Sequence, residues 1–599
     1  MPLLTRAFFL VVGLCAFVPL RAAETWVKAV TEHATILTPA SEAVARKWAI
    51  EFEQFRRGLQ AIVPVPVERL RPVTVVLFKH DRAMEPYLPL ENGRPAKLGG
   101  FFVRTNDLNA IMLSLARDDA ETRRIIFHEA VHWHLSARDG PMPLWLDEGL
   151  AEVYATFEVP DARTYAFGAA IPEHVALLRA ERLLPLPVLL GVGRESLLYN
   201  EGTRAGIFYA QAWAFVHFLL YGDGSPGPAS VRRYLELVPE LHSADDAFTA
   251  AFGADYVAME RRLRAYIGGG SYKKHVYTRA TPAIARELQA GPAAPADLAL
   301  ARGVLLHGTR GPEEAEKHLG EAALLAPADP RAWELLGQIA MARQDFSAAQ
   351  PLLARAVAGG ARSHLVFHNL AVARLPELVG PRLPGASASG EALEASAVDF
   401  RRALALAPAH VPSYEGLAGL MHSLPTPVAS DLELLARGAG LAPESTLIAA
   451  GLAAAELRLG RAAAGHARLE RLFAARPDAT DRGTVFARGV LESERLRAES
   501  EEINRLIEAR RFEEVIVVID RALARAMEPV PRQAMESLRR RMAGFVTIKR
   551  ATQLANEGEL AAARGLLAGL LDPGSDQAAE AEARRLLREL DQHEARRKQ

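Results

Sequence analysis

Cysteine is almost absent from this chain: one residue, Cys15, in 599. It falls inside the apolar stretch Ala7 to Leu20, which follows Arg6 and precedes the small residues Ala22 and Ala23. That order of charge, apolar run and small residues reads as an export signal over 1–23, cleaved after Ala22 or Ala23. Leu14 stands before Cys15, where lipidation would want a small residue, and the run is short of the ~20 residues that a spanning helix needs. Without the signal no thiol remains, so disulfides and thiolate chemistry are excluded and any metal site must use His, Asp and Glu. Long hydrophobic runs are lacking as well. Phe208 to Leu220 has the length of a buried core helix, so no membrane span is expected in the mature chain. An excess of one charge is also missing, with 71 Lys and Arg against 72 Asp and Glu, which argues against nucleic acid as a partner. The mature protein is expected outside the cytoplasm, periplasmic or secreted.

At this length about two to four domains are expected, and the character of the sequence changes near residue 270. Before it, strand-like runs such as Val73 to Phe78 and Ala110 to Leu115 mix with helical patterns, which predicts an α+β domain over 24–270. The glycine-containing string Ile267 to Lys274, followed by the Ala- and Pro-containing Ala290 to Ala299, places the likeliest linker over 271–295. The remainder, 296–599, is helical and it repeats. Trp333, Leu336, Gly337, Ala340, Ala349, Leu353 and Ala356 have counterparts one 34-residue period upstream in Gly303, Ala315, Leu319 and Ala322, followed by Pro327. Further units follow at Ser396, Phe400, Ala403 and Pro408, then Tyr414, Leu417 and Ala418, with Pro443 and Pro477 again 34 apart. This pattern resembles the tetratricopeptide repeat, which implies an all-α solenoid that binds a protein partner. A Gly/Pro/Ser-rich insertion, 379–390, interrupts the third unit as an expected exposed loop. Past Ser493 the pattern blurs, although Ile507 to Leu523 and Leu554 to Leu571 still read as helical hairpins.

The chemistry concentrates in Ile125 to Ala155. His128-Glu129-Ala130-Val131-His132 sits in a segment of helical periodicity, with Asp118 or Asp119 available as its cap. Histidines at i and i+4 share a helix face about 6 Å apart and can reach one ion, while Glu129 is rotated about 100° away, close enough to take a proton from water. Beyond the turn Ser136 to Pro141, Pro143 opens a second helix that puts Glu148 and Glu152 on one face. Glu148 would complete a set of two histidines and one glutamate, leaving a fourth position for water, as in a catalytic zinc (Zn2+) site. Glu152 would accept a hydrogen bond from the outer nitrogen of a ligating histidine. His134 points elsewhere on the helix and reads as a surface or supporting residue, and Trp145 as packing under the site.

H-E-x-x-H followed by W-L-x-E-G-L-A-E resembles the gluzincin zinc metallopeptidases, and in particular bacterial proteins that join a peptidase-like domain of that clan to tetratricopeptide repeats. The resemblance implies an α+β metallopeptidase-like domain followed by the repeat solenoid, with His128, His132 and Glu148 as zinc ligands and Glu129 as general base. It also implies a donor for the tetrahedral oxyanion, for which Tyr209 and His217 are the candidates. Only 15 residues separate His132 from Glu148 and the aminopeptidases' G-A-M-E-N motif is absent, which favours an endopeptidase over an aminopeptidase. The expected substrate is a protein or peptide, aligned along an edge strand, Gly99 to Thr105 or Ala110 to Leu115. The competing expectation is an inactive exported scaffold in which the repeats bind a partner and the first domain only binds metal or peptide.

Overall fold

Val73-Thr74-Val75-Val76-Leu77-Phe78 is too apolar for a strand with one wet face, and in the computed structural model it lies inside a six-stranded sheet. The structure describes residues 24–598 other than 106, 139, 162, 201, 239–243, 279–287, 377–387, 477–478, 526–528 and 573–575. The expected signal 1–23, Pro477 and most of the insertion at 379–390 therefore lie outside the described residues. The chain divides into two compact units, one ending at Val366 and the other beginning at Phe367.

In chain order the strands of the first unit are β1 (Val27–Val30), β2 (Ala34–Thr38), β3 (Val73–Phe78), β4 (Leu90–Glu91), β5 (Arg94–Pro95), β6 (Gly100–Arg104), β7 (Asn109–Ser114), β8 (Glu158–Asp161), β9 (Thr164–Phe167), β10 (His275–Thr278) and β11 (Gln289–Pro292). The main sheet has the order β11-β1-β2-β3-β7-β6, with β2, β3 and β7 parallel and β1, β11 and β6 antiparallel to their neighbours. Its helices are α1 (Glu42–Ile62), α2 (Asp81–Met84), α3 (Asp119–Leu135), α4 (Leu144–Tyr154), α5 (Pro172–Ala180), α6 (Leu186–Leu190), α7 (Leu197–Asn200), α8 (Gly202–Tyr221), α9 (Pro228–Leu237), α10 (Ala244–Phe252), α11 (Tyr256–Gly269), α12 (Pro295–Thr309), α13 (Pro312–Leu325), α14 (Pro330–Ala342) and α15 (Phe346–Ala358).

Alternation decides which helix covers which face of the sheet. Val73, Val75, Leu77, Ile111 and Leu113 belong to one large core with α1 and α3, where Phe55 stacks on Phe127 at 4.4 Å between ring centroids. The opposite face is closed by α12: a Cβ on Gly308 would fall 2.2 Å from Val103 of β6, and Arg310 donates to the Leu88 carbonyl at 2.6 Å. Here the structure departs from the expected linker over 271–295. Within it β10 pairs with β9, and β11 completes the main sheet beside β1. The α+β fold thus extends through β11, and the first repeat helix is part of its sheet packing.

The repeats themselves are helical hairpins closed by one turn. Gly303 on α12 faces Leu319 on α13, and Gly337 on α14 faces Leu353 on α15, in both cases with a built Cβ 2.6 Å from the leucine Cδ2. In the second unit, among the described residues, every element is a helix; the principal ones are Gly390–Leu406, Val411–Leu420, Ala429–Leu441, Thr446–Arg458, Ala462–Ala475, Arg482–Glu508, Phe512–Leu523, Pro529–Asn556, Leu560–Gly569 and Gln577–Lys598. Hairpin turns repeat with a left-handed residue two positions past the first helix, at Gln344 in the first unit and Gly460, Arg510 and Gly558 in the second. After each, the next amide donates five residues back, as in Asp345 to Ala340, Arg461 to Glu456, Arg511 to Leu506 and Glu559 to Leu554. The hairpin pattern therefore continues past Ser493, where side-chain periodicity alone blurs.

Candidate metal centre

Helix α3 starts where Asp118 accepts from the amides of Ala120 and Glu121, both at 2.9 Å, so Asp118 is the cap. That start sets the phase by which His128 and His132 share a face. Pro143 caps α4 by chain direction alone, and the helix is drawn against α8 at Gly149, where any Cβ would meet Val216 at 2.5 Å and the Ala212 carbonyl at 2.7 Å. Only glycine permits that approach, and it brings Glu148 and Glu152 over α3.

The result is a convergence of three atoms. His128 Nε2 and His132 Nε2 lie 3.2 Å apart, and Glu148 Oε2 is 3.4 Å from each. The outer nitrogens are held by carboxylates: His128 Nδ1 by Glu152 Oε1 at 3.2 Å and His132 Nδ1 by Asp147 Oδ1 at 3.1 Å. A carboxylate on Nδ1 favours the tautomer whose Nε2 lone pair faces the shared point. Glu152 extends the network to His174 Nε2 at 3.1 Å and to Arg124 at 3.8 Å. Glu148 Oε1 accepts from the Tyr199 hydroxyl at 3.0 Å, whereas Glu148 Oε2 is buried without a hydrogen-bond partner.

These groups perturb one another strongly. Burial alone would depress His132, but the hydrogen bond to Asp147 and the charges of Glu148 and Asp147 lift it to about 10. Burial opposes the charge on His128 too, and Glu152 with Glu148 carries it well above the usual imidazole value. Burial likewise works against ionisation of Glu148 and Glu152, yet the imidazoles hold both well below the usual carboxylate range. Glu129 behaves oppositely: burial raises its carboxyl above the ordinary value, against the pull of His128 and His132. It sits beside the Phe102 backbone of β6, where Gly100 lets the strand pass, a Cβ there lying 3.6 Å from Glu129 Cγ.

The cluster fits a divalent zinc. A buried carboxylate oxygen points between two imidazole nitrogens, and the donors are two N and one O, a set that suits zinc. His128, His132 and Glu148 are the residues that could hold it.

Of the two candidate oxyanion donors, the structure brings one to the site. Tyr209 lies with its ring centroid 6.5 Å from His128 and 5.9 Å from Tyr199, and burial followed by the Glu148 charge raises its phenol, so it stays protonated. His217 does not come near. It is fully buried among Trp213, Tyr221, Tyr266 and Tyr272, bonded to the Gly168 carbonyl at 2.8 Å and to Tyr266 at 2.6 Å. Eight residues along α8 from Tyr209 amount to about 12 Å of rise, too far to serve the same atom. His134 is also buried rather than on the surface, bonded to the Val63 carbonyl at 2.7 Å. Trp145 packs between Phe215 and Tyr234. Asp147, His174 and Tyr199 were not among the sequence candidates. Asp147 adjoins Glu148 and was open to notice, whereas His174 and Tyr199 lie on later helices without any motif.

No family model and no curated protein matches the chain. Among the solved structures it resembles are TPR proteins. YrrB, described as a TPR protein with an unusual peptide-binding site, shares 13% identity over 32% of this chain and 88% of its own, at a TM-score of 0.25. TTC0263, a thermophilic TPR protein of Thermus thermophilus, shares 18% over 33% and 99%, at 0.20. The TPR domain of P58(IPK) shares 12% over 50% and 99%, at 0.17. With TM-scores this low, the repeat organisation rests on the hairpins described above.

Proposed function

We propose that the chain is an exported zinc-dependent peptide-bond hydrolase whose repeats recruit protein partners or substrates. The observation that carries this reading is the convergence of His128 Nε2, His132 Nε2 and the unpartnered Glu148 Oε2, with the half-buried Glu129 carboxyl, its proton affinity raised, beside them. Bound zinc supplies Lewis-acid polarisation of a carbonyl and lowers the pKa of water toward 7. Glu129 takes a proton from the attacking water and delivers it to the departing amine, a double role suited to a carboxyl whose affinity for protons is raised. Tyr209 donates to the oxyanion that develops on the carbonyl. Strand β6 is one of the two edges of the sheet and runs past Glu129, so an extended peptide could pair with it. The alternative strand, Ala110 to Leu115, is excluded because β7 is paired on both sides. The repeats offer the stacked helical surface on which such arrays hold partners.

Zinc content of the purified mature protein together with a proteomic cleavage screen tests this directly. One zinc per chain and cleavage that disappears in Glu129→Gln supports the hydrolase. Zinc without cleavage, equal in both proteins, moves the function to a metal-binding scaffold.

A further inference from the structure

The two oxygens of Glu148 have different surroundings, and the difference is made by a residue outside both motif helices. Oε2 faces the imidazoles without a hydrogen bond, while Oε1 accepts from the hydroxyl of Tyr199 on α7 at 3.0 Å. We propose that Tyr199 is a positioning residue that keeps Glu148 a one-oxygen ligand, so that a coordination position stays open for water or substrate. This rests on the metal-site reading above. A buried carboxylate with both oxygens free would close on the ion through both of them and fill a fourth position; an oxygen committed to a phenol does not turn inward without breaking that bond. The hydroxyl of Tyr199 has a single proton, which it gives to Glu148. Tyr199 itself is fixed by its ring, set edge-on against Phe208 and tilted over Tyr209.

Tyr199→Phe in the full-length protein keeps those ring contacts and removes only the hydroxyl, so folding is preserved and circular dichroism checks it. Both proteins are loaded with cobalt(II) in place of zinc, whose visible absorption reports coordination number. Wild type is expected to show the intense absorption of a four-coordinate ion, and Tyr199→Phe the several-fold weaker absorption of a five-coordinate one. Tyr209→Phe, which leaves the Tyr199 to Glu148 bond intact, is expected to keep the wild-type spectrum. Identical spectra in wild type and Tyr199→Phe overturn the proposal, as does an equal change in Tyr209→Phe, which would make the effect a general one of the aromatic pocket. A wild-type protein that takes up neither zinc nor cobalt overturns the metal-site reading itself and the proposal with it.

Discussion

The contact of α4 with α8 and the hairpin of α12 with α13 are both closed by a glycine, yet they bury opposite things. Opposite Gly303 the hairpin encloses Ala299, Val304, Leu305, Ala315, Leu319 and Ala322, all apolar. Around Gly149, α4 buries Glu148 and Glu152 against two histidines, one carboxylate oxygen being left without any hydrogen bond. The repeat hairpin is what stacking alone requires, whereas α4, held on α8 by Gly149, also brings buried ionisable groups onto the histidines of α3, which packing does not need. The difference marks which of the two regions holds the ionisable cluster on which the proposed function rests.

The largest break in this comparison comes from separating its halves. A chain cut after Gly270 loses β11, the sheet partner of β1, and α12, which seals the second face of β6 and β7. A fragment 24–270 is expected to lose cooperative folding and zinc together, while 24–366 retains both, as read by near-ultraviolet circular dichroism and metal content. A folded, zinc-loaded 24–270 would return the boundary to the position that composition suggested.

That composition misled for a physical reason. Gln289-Ala290-Gly291-Pro292 has the residues of a linker, but an edge strand tolerates Gly and Pro because one side of its backbone needs no partner. The motif helices were legible because i and i+4 spacing is a local property: His128, His132, Glu148 and Glu152 needed only the helix period to be placed on common faces. Tyr209 and His217 share a helix, and nothing local separates a residue at the site from one about two turns further on. Tyr199 and His174 reach the cluster only through tertiary packing of α5 and α7, which no periodicity records. The repeat units were legible for the same reason as the motif, through one residue spacing, until the left-handed turns at Arg510 and Gly558 carried the pattern on without the side-chain signature.

The next effect in size separates ligand from base within the polar pair. Glu129→Gln is expected to lower kcat/KM by about 10²–10⁴ on a substrate from the cleavage screen, since the amide accepts no proton. Zinc content should stay at the wild-type value, whereas His132→Ala loses the metal too. Undiminished turnover in Glu129→Gln would remove the base from the mechanism.

Protons measure the same pair without a substrate. In the metal-free protein His132 is lifted to about 10 and His128 well above its ordinary value. The Nε2 atoms face each other at 3.2 Å, so the two imidazoles resist carrying full charge together. Zinc takes neutral imidazoles, so binding near pH 7 should release roughly one to two protons, and apparent affinity should rise about 10–100-fold per pH unit. The stability of the metal-free protein runs the other way. Raised histidines contribute fully below their unfolded value and lose that contribution as pH climbs through about 10. Titration calorimetry in buffers of different ionisation enthalpy reads the released protons, and a pH-independent affinity would contradict the carboxylate-held histidines.

The smallest effects come from the two glycines with which the comparison began. At Gly149 an added methyl meets a carbonyl oxygen at 2.7 Å and the carbon behind it at 3.1 Å, so α4 and α8 must move apart as backbones. Overpacking of this kind costs about 1–3 kcal/mol, and Gly149→Ala belongs toward the upper end because nothing flexible can yield. At Gly303 the methyl meets Leu319 Cδ2 at 2.6 Å and Cγ at 2.7 Å, side-chain atoms that can turn, with the Leu319 amide at 3.2 Å. Alanine also gains about 1 kcal/mol over glycine as a helix former, which offsets much of that strain. Gly303→Ala is therefore expected to leave the unfolding free energy from urea titration within about 1 kcal/mol of wild type. In Gly149→Ala the same measurement should fall by more, and zinc affinity should fall with it, because any separation of α4 from α8 shifts Glu148 relative to His128 and His132. Equal destabilisation by the two substitutions, with zinc affinity unchanged in both, would mean that the glycine under the polar cluster does no more than the one in the repeat.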